Sequence, residues 1–511
     1  MQKVVIIGGG IGGLSAGIYA QRNGFESVIL EKHHTPGGQC TGWDRKGYHI
    51  DGCIHWLTGT KEGSELRALW EEVGALDGVE IIHPESFLCF EHEGERAFIY
   101  RDLDKLQASW TDLSPQDAES IREFCDDVRL LQSFSFPVEK PRDLMSLPEK
   151  IRMLLSMKDA GAILKKYGKM TLTEFAERFS HPAIREGLSD MAPDNFNAAM
   201  IFFAIAAFTT DEASIPKGGS KSLALRMAER YTELGGVLET SCEVQELLID
   251  GKHVRGVVCT DGRRFEPDYV IAACDAHFVY HNLLKGRYPE AAFEKRFNNP
   301  VEYPLASEIL VALGYEGSVS GSVVRNAGGA FSGDAGGKAG SIGEALPWSL
   351  NYSTDPISIN GREITRLTMK HFSHEPGFAP EGQTLLIYDI SQFFEDFEAW
   401  DRLARDPEAY KQEKARIGQA VLRATEKRFP AMQGKLTVLD VVTPKTYERY
   451  CNAYRGAFMA FFPTVQGKMM EHSGRIRGLK NMVLSGQWVQ PPGGLPTALL
   501  SGRAAIMRLC V

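Results

Sequence analysis

Apolar residues form a short uninterrupted run near the start of the chain, from Val4 to Ile7, and glycines follow at once. A run of this kind is typical of a strand buried within a parallel sheet. We predict a helix at 14–23 and a second strand at 27–30, which is followed by Glu31. The pattern therefore predicts a β-α-β unit rather than a signal peptide, which would also need a basic beginning.

The middle of the chain, 109–208, has mostly helical periodicity, with amphipathic segments such as 172–179. We interpret this region as an inserted helical cap. Its most apolar uncharged stretch, 195–210, is shorter than the ~20 apolar residues that a helix needs to span a bilayer. We therefore expect a buried core helix here, and a surface that dips into a membrane or lines an apolar substrate tunnel is the alternative.

After the cap, strand-like alternation indicates that the chain returns to the domain of the first β-α-β unit. A long mixed segment then leaves that domain, and the chain returns to it near the carboxyl end. The expected elements are helices at 221–234 and 407–429 and strands at 236–240, 254–260, 269–273, 309–313, 365–371, 384–388 and 482–486. Three visits to one domain predict a discontinuous nucleotide-binding domain. Its segments are 1–75, 212–285 and 470–511, and an inserted substrate domain with the helical cap takes 76–211 and 286–469.

The composition is that of a packed protein, and it excludes one class of partner. Of the 511 residues, 43% are hydrophobic and 24% are charged, so a large core can form. The net charge of -9, without a long run of Lys and Arg, excludes a nucleic-acid partner. Nine scattered cysteines without a Cys-x-x-Cys pair predict reduced thiols, no metal site and a cytoplasmic protein, with a peripheral membrane contact left open.

Glycines after the first strand fit the spacing G-x-G-x-x-G at Gly8, Gly10 and Gly13. This spacing serves a tight turn, backbone approach to a pyrophosphate, and close packing of helix on strand. The following helix would direct its unpaired N–H groups at the phosphates. Glu31 follows the glycine motif by close to the ~20 residues at which a carboxylate binds the ribose hydroxyls. A carboxylate there disfavours the 2′-phosphate of NADP. A dinucleotide site is thus predicted, but this motif does not distinguish FAD from NAD.

Two segments beyond Glu31 decide between these cofactors. Residues 36–40 read Pro-Gly-Gly-Gln-Cys, and residues 47–59 form a short hairpin that ends in Asp-Gly-x-x-His-aromatic-x-x-Gly. Together they resemble the flavoprotein family of phytoene desaturases, carotenoid isomerases and retinol saturases. Cys40 and His55 are more similar to the saturase and isomerase branch than to the bacterial desaturases. The resemblance implies FAD and an α/β fold: a discontinuous Rossmann-like FAD-binding domain of the GR2 type, with an inserted α+β substrate domain and helical cap.

The resemblance continues through 215–262 and 443–457 to the carboxyl end. In this family the residue that matches Val244 would hold the adenine through its backbone. At the end of the chain we predict a strand at 483–486, a proline- and glycine-rich turn, and a helix at 499–509. The amino end of that helix would stabilise negative charge on a reduced isoalloxazine. The family usually has Asp where this chain has Gln487, which can also donate and accept hydrogen bonds.

These arguments yield two sets of candidate residues. The predicted FAD contacts are Gly8, Gly10, Ile11, Gly12, Gly13, Glu31, Lys32, Gly38, Gln39, His55, Val244, Gly486, Gln487, Gly494, Leu495 and Pro496. The predicted acid–base candidates near the flavin ring are His55, Tyr48 and Cys40. A proton must move at the carbon next to the one that exchanges a hydride, and such side chains could move it.

The resemblance implies a long apolar isoprenoid or polyene as substrate. Residues around Phe202 and at 458–462 could line a tunnel for it, although core packing explains the same residues equally well. Desaturation, saturation and isomerisation need the same flavin; Cys40 and His55 favour a saturase or isomerase, and the redox partner stays open. The alternatives are an amine-oxidase-like enzyme with Trp488 and Tyr454 as its aromatic pair, and a non-enzymatic lipid or prenyl carrier, which the intact glycine motifs oppose.

Overall fold

The computed structural model describes residues 1–135, 137–319, 324–325, 331–332 and 346–510. The strands are β1 (Lys3–Ile7), β2 (Glu26–Leu30), β3 (Gly42–Arg45), β4 (Tyr48–Asp51), β5 (Leu57–Thr58), β6 (Ile81–Pro84), β7 (Ser86–His92), β8 (Glu95–Tyr100), β9 (Ala213–Pro216), β10 (Val237–Glu239), β11 (Val244–Asp250), β12 (His253–Cys259), β13 (Arg264–Phe265), β14 (Tyr269–Ala272), β15 (Ser307–Tyr315), β16 (Val324–Arg325), β17 (Phe331–Ser332), β18 (Ser349–Ile359), β19 (Arg362–His371), β20 (Thr384–Gln392), β21 (Leu436–Val442) and β22 (Met482–Leu484). The α-helices are α1 (Ile11–Arg22), α2 (Glu65–Glu72), α3 (Leu103–Leu113), α4 (Ala118–Leu131), α5 (Leu147–Ser156), α6 (Lys158–Tyr167), α7 (Leu172–Ala176), α8 (Pro182–Asp190), α9 (Ala199–Thr209), α10 (Gly219–Glu233), α11 (Ala291–Phe297), α12 (Phe394–Leu403), α13 (Pro407–Arg428), α14 (Pro444–Cys451) and α15 (Leu495–Leu509).

A five-stranded parallel sheet is built from three separate parts of the chain, in the order β10-β2-β1-β14-β22. Val4 and Ile6 of β1 are fully buried at its centre, as the apolar run predicts. Helix α1 contacts both α10 and α15, so helices from the same three parts pack together beside the sheet. The predicted α/β fold with a Rossmann-like sheet is confirmed.

A second, seven-stranded sheet has the order β21-β15-β20-β19-β18-β7-β8. Its described pairs are antiparallel except that of β18 with β7. Alternate residues of β15, such as Ile309 and Val311, pack into an apolar core that includes Ile417 of α13. Their neighbours Glu308 and Leu310 therefore face the other side of the sheet, because side chains alternate along a strand.

The cap consists of α3 to α9 and has an aromatic core of its own, which includes Trp110, Phe124 and Phe175. Helix α9 lies within it, and its Phe202 is fully buried and stacks on Tyr167 with ring centres 4.3 Å apart. The expectation of a buried core helix is therefore confirmed. Among the helices of the described residues, none combines the length and apolar character that crossing a membrane requires.

Two features differ from the sequence-based expectations. Helix α15 begins at Leu495 instead of 499, because Gly494 takes a positive φ of 85° at its cap and Pro496 fits the first turn. Several strands were not expected from the sequence, among them β7, β8, β11, β18 and β21. The partner of β7 is β18, more than 250 residues later in the chain, so local pattern gave no indication of the pair.

Candidate active site

A cavity of about 1000 Å³ extends from the glycine-rich turn after β1 to the helical cap. Ligand pockets in proteins commonly measure ~300–1,000 Å³, so this one has room for a dinucleotide and part of an apolar substrate. The turn 8–12 and the end of β2 line one part of it, and apolar side chains including Phe87, Leu172 and Met200 line another. The regions predicted to bind the cofactor and the apolar substrate thus share one cavity.

The glycines after β1 are required by close backbone contacts. A Cβ on Gly8, whose φ is 102°, would lie 2.7 Å from the carbonyl oxygen of Ala273, and one on Gly13 would lie 1.9 Å from that of Gly8. Gly13 does not line the cavity; it allows α1 to pack on the turn. Gly10 caps α1 without a side-chain hydrogen bond, so the first N–H groups of the helix stay available for an anion.

Glu31 lies at the end of β2 and is nearly buried. Its Oε2 accepts the N–H of Gly9 and its Oε1 that of His33, both at 2.7 Å. Burial raises the pKa of Glu31, and these two N–H groups oppose that rise. A carboxylate has about four lone-pair sites, so Glu31 keeps acceptor capacity for ribose hydroxyls. Val244 lines the cavity as well, and Lys32 pairs with Glu243 at 3.2 Å.

The glycines Gly37 and Gly38 pack directly against the turn 8–12 that follows β1. Gly37 donates to the carbonyl oxygen of Gly9 at 2.8 Å, and a Cβ on Gly38 would lie 3.3 Å from Gly10. Gln39 extends across the cavity wall and donates from Nε2 to the carbonyl oxygen of Ala457 at 2.7 Å. The segment after Glu31 therefore forms the opposite wall of the phosphate end.

The carboxyl-terminal turn brings the amino end of α15 to the cavity. Gly486 donates to Oγ of Ser501 at 2.7 Å, and a Cβ on Gly486 would meet no atom within 4 Å. Gln487 does not present a free side chain: its Oε1 accepts from Gly494 at 3.3 Å and its Nε2 donates to the carbonyl oxygen of Phe458 at 3.2 Å. In place of the family's Asp, this residue closes the turn that positions α15.

The predicted FAD contacts assemble around the cavity, with Gly13 as the exception. Those that line it are Gly8, Gly10, Ile11, Gly12, Glu31, Lys32, Gly38, Gln39, His55, Val244, Gly486, Gln487, Gly494, Leu495 and Pro496. Two helix amino ends, a buried carboxylate and close glycine backbone suit a pyrophosphate, a ribose and an anionic flavin edge. The residues present thus fit FAD.

Among the acid–base candidates, His55 and Cys40 line the cavity. Nε2 of His55 lies 3.8 Å from Oδ2 of Asp389. Burial, and then the charge of Lys370, lowers the pKa of His55 to about 4, so its ring is neutral at physiological pH. A hydrogen bond with Cys53, followed by burial, raises the pKa of Cys40 well above its usual range, so its thiol stays protonated.

Tyr48 has a different environment from the other candidates. Its ring packs with Leu310 and Phe378 beyond the cavity lining, and its hydroxyl donates to Oε1 of Gln383. A substrate in the cavity would not reach this hydroxyl. The spacing of Tyr48 from His55 along the chain gave no indication of this separation, which follows from how β4 packs on the seven-stranded sheet.

Sequence analysis missed a group of polar side chains beside His55. Glu308, Lys370, Asp389 and Tyr447 all line the cavity, and they lie on β15, β19, β20 and α14. Charged residues inside otherwise apolar strand sequences were the available signal. Only the fold brings them together, since they are spread over 140 positions of the chain.

Ring nitrogen and carboxylate oxygens of His55, Glu308 and Asp389 lie within 4.8 Å of one another, a spacing that could hold a metal ion. However, Nζ of Lys370 forms an ion pair with Oδ2 of Asp389. The ammonium already supplies positive charge at this point, so we assign no metal to the group.

Comparison with known proteins identifies relatives over the whole length of the chain. The phytoene desaturase (lycopene-forming) of Pseudescherichia vulneris is 25% identical over 99% of this chain and 98% of its own. The chloroplastic prolycopene isomerase of Arabidopsis thaliana is 24% identical, over 90% and 74%. The all-trans-retinol 13,14-reductase of Homo sapiens is 22% identical, over 99% and 85%. The resemblance found in the motifs is thereby confirmed.

Solved structures share the fold. An oxidoreductase from Methanosarcina mazei superimposes with a TM-score of 0.59 at 16% identity, over 99% of this chain and 100% of that one. A putrescine oxidase bound to putrescine gives 0.56 at 13% identity, over 100% and 99%. At such identities these structures support the architecture alone.

A family model described as flavin containing amine oxidoreductase matches residues 11–509. The match includes the cavity-lining end of β2, the polar group around His55 and the whole of α15. The cofactor that this family implies is the one that the cavity fits, so the protein is an FAD-dependent oxidoreductase. The carrier alternative is thereby set aside. The chain belongs to the flavin containing amine oxidoreductase family.

Proposed function

We propose that the protein acts on the carbon–carbon bonds of a long apolar isoprenoid or polyene, by saturating, desaturating or isomerising double bonds. One observation supports this most directly: the cavity that fits FAD continues into a region lined by apolar side chains of the cap and of 458–462. Met200, Ile201 and Ala204 of α9 line it, as do Phe458, Met459 and Phe462. Relatives named for phytoene, prolycopene and retinol support the same substrate class.

In this proposal 1–75, 212–285 and 470–511 bind FAD, and 76–211 with 286–469 bind the substrate. Bound FAD supplies the two-electron chemistry. The turn 8–12 and the amino end of α1 hold the pyrophosphate, and Glu31 holds the ribose. The amino end of α15 stabilises negative charge at the flavin. The apolar cap residues exclude water from the reacting carbons.

An amine substrate receives less support from the residues. An amine-oxidase-like site would place two aromatic rings across the flavin, with Trp488 and Tyr454 as the candidates. Trp488 packs against Phe461 with ring centres 5.4 Å apart, and Tyr454 stacks on His277 at 3.7 Å. Trp488 lines the cavity but Tyr454 does not, so the two rings do not face each other across it, which favours a polyene over an amine.

We also propose that the protein contacts a membrane through α5. Leu147, Ile151, Leu154 and Leu155 follow one face of this helix and are 50–72% exposed. Met153, on the other side of the same helix, lines the cavity, so α5 lies between its exposed apolar face and the substrate space. Residues 140–169 contain eight basic and three acidic side chains, in contrast to the net charge of -9 of the chain. This combination suits a bilayer that contains anionic lipid.

Visible absorption spectra of the purified protein test the enzymatic proposal. We expect flavin bands, and under anaerobic conditions we expect them to bleach with an isoprenoid such as a long carotene if the enzyme desaturates. Bleaching by NAD(P)H with reoxidation by a polyene is expected of a saturase, and turnover of a cis polyene without net bleaching is expected of an isomerase. Bleaching by amines but by none of these combinations would contradict the proposal.

A further inference from the structure

Polar side chains form a row on the cavity face of the seven-stranded sheet. Leu310 of β15 is opposite Asp389 of β20, and Asp389 is opposite Thr368 of β19. Residues two positions apart share a face, so Glu308 and Lys370 lie on the same side as Asp389, diagonally to either side of it. This row places two carboxyl groups and a lysine amine in the cavity wall, and it is the chemically distinctive part of that wall.

In the described part of the chain, Glu308 is the acid of this row that no ion pair holds. It is buried, and the hydroxyl of Tyr447 donates to its Oε1 at 2.6 Å. Among the described residues, no hydrogen bond to Oε2 is formed, which leaves this oxygen for a partner within the cavity. Asp389 differs, because its Oδ2 is held in an ion pair by Lys370.

The groups that face Glu308 also differ from it in how their pKa values are shifted. Burial, and then the charge of Asp389, raises the pKa of Glu308 to about 7. Burial opposes ionisation of Asp389, but the charge of Lys370 lowers its pKa overall, so it stays a carboxylate. Burial and Glu308 raise the pKa of Tyr447 well above its usual range, so it stays protonated. His55 is neutral, so of these four groups Glu308 is the one whose pKa lies near neutral pH.

We propose that Glu308 is the catalytic residue that exchanges a proton with the substrate carbon, while Tyr447 and the Lys370–Asp389 pair act as positioning residues. The inference rests on the proposed function and assigns an acid–base group to that same cavity. Neither the glycine motifs nor the resemblance pointed to this residue. A proton carrier is most effective when its pKa is near the working pH, which agrees with the position of Glu308 in this network.

The step balances in both directions. In desaturation, the Glu308 carboxylate would take a proton from one substrate carbon, the electron pair of that C–H bond would become the new double bond, and the hydride lost by the neighbouring carbon would need FAD as its acceptor. In saturation, the Glu308 carboxyl would protonate one carbon, and reduced FAD would supply the hydride that the other carbon gains. In isomerisation, the same group gives and recovers one proton, so no net oxidant or reductant is consumed.

Glu308→Gln in the FAD-loaded protein tests this role. The amide keeps an acceptor for Tyr447 but cannot transfer the proton, so we expect kcat with the polyene to fall at least about 100-fold, as for loss of a general acid or base. FAD content should be unchanged, and the ionisation near neutral pH should disappear from the kcat profile. Glu308→Asp should recover part of kcat and shift that profile. Glu316→Gln, an exposed carboxylate just beyond the other end of β15, is the matched control.

A second measurement needs no turnover. Infrared difference spectra of wild type minus Glu308→Gln should contain a buried carboxyl band that titrates near neutral pH. A carboxyl that stays ionised across this range would overturn the inference whatever the substrate. Wild-type turnover of a polyene together with an unchanged pH profile in Glu308→Gln would overturn it while leaving the proposed function intact. If no polyene reacts with wild type, the proposed function fails, and the infrared titration still decides whether Glu308 can carry a proton.

Discussion

Gln487 accepts a hydrogen bond from the backbone N–H of Gly494 at 3.3 Å, across the turn that leads into α15. The same side chain donates to the carbonyl oxygen of Phe458. A residue expected to touch the cofactor therefore acts on the backbone that surrounds it. The amino end of α15 depends on this turn for its place at the cavity that fits FAD.

Gln487→Leu should weaken FAD binding by roughly tenfold, because two hydrogen bonds of about 1 kcal/mol each are lost and part of that energy holds the turn. Fluorescence titration of the apoprotein with FAD measures the change. Gln433→Leu, at an exposed position, is the control and should bind FAD like wild type. Equal affinity in both variants would show that the turn does not need Gln487.

Gly13→Ala should abolish FAD binding. A methyl group there would lie 1.9 Å from the carbonyl oxygen of Gly8, so α1 or the turn must move. Gly161→Ala in α6 is the matched change, since a Cβ there meets no atom within 4 Å, and helix propensity should stabilise it by roughly 0.5–1 kcal/mol. Absorption spectra and thermal unfolding distinguish the two. A yellow Gly13→Ala protein would contradict the proposed geometry.

Stability should depend on pH through Glu308. Its pKa is raised in the folded state from 4.5 to about 7, so its stabilising effect is complete below about 4.5 and is lost as pH rises through about 7. Above that range wild type should lose up to about 3 kcal/mol relative to Glu308→Gln. Urea unfolding of both proteins across this range measures the difference. Parallel pH curves would mean that the carboxyl is not perturbed.

The three predicted acid–base residues should differ in effect. His55→Gln should lower kcat about tenfold, a change of about 1.4 kcal/mol in the barrier, because the neutral ring lies among the polar groups that line the cavity. Cys40→Ser should leave kcat unchanged, since the thiol stays protonated and donates to the carbonyl oxygen of Ser220. Tyr48→Phe should cost about 1 kcal/mol in stability and nothing in kcat, because the ring lies outside the cavity. Steady-state kinetics that rank Tyr48→Phe as the slowest variant would contradict this assignment.

Changes on α5 should affect lipid binding without affecting the flavin. Replacing Leu154 and Leu155 by Asp removes exposed apolar area and adds negative charge, so sedimentation with anionic vesicles should fall to the level of neutral vesicles. Leu225→Asp, on the partly exposed side of α10, is the control. Undiminished binding by the double variant would place the membrane contact elsewhere.

The sequence by itself determined the nucleotide half of the site. The first strand, the glycine spacing, Glu31 and the turn before α15 depend on local backbone geometry, which short motifs encode. The family resemblance, which the family match and the relatives confirm, depends on the same motifs. The strands of the parallel sheet were predicted for the same reason, since buried parallel strands are short apolar runs.

The tertiary structure alone decided which polar side chains line the cavity beside His55. Glu308, Lys370 and Asp389 come together because three strands align in one register, and β7 pairs with β18, which lies more than 250 residues later in the chain. Strand register is a long-range property, and shifting it by one residue would turn each of these side chains to the opposite face. Tertiary packing also separates Tyr48 from His55 and brings the side chain of Gln487 into hydrogen bonds with backbone groups. These environments depend on neighbours that are distant in sequence.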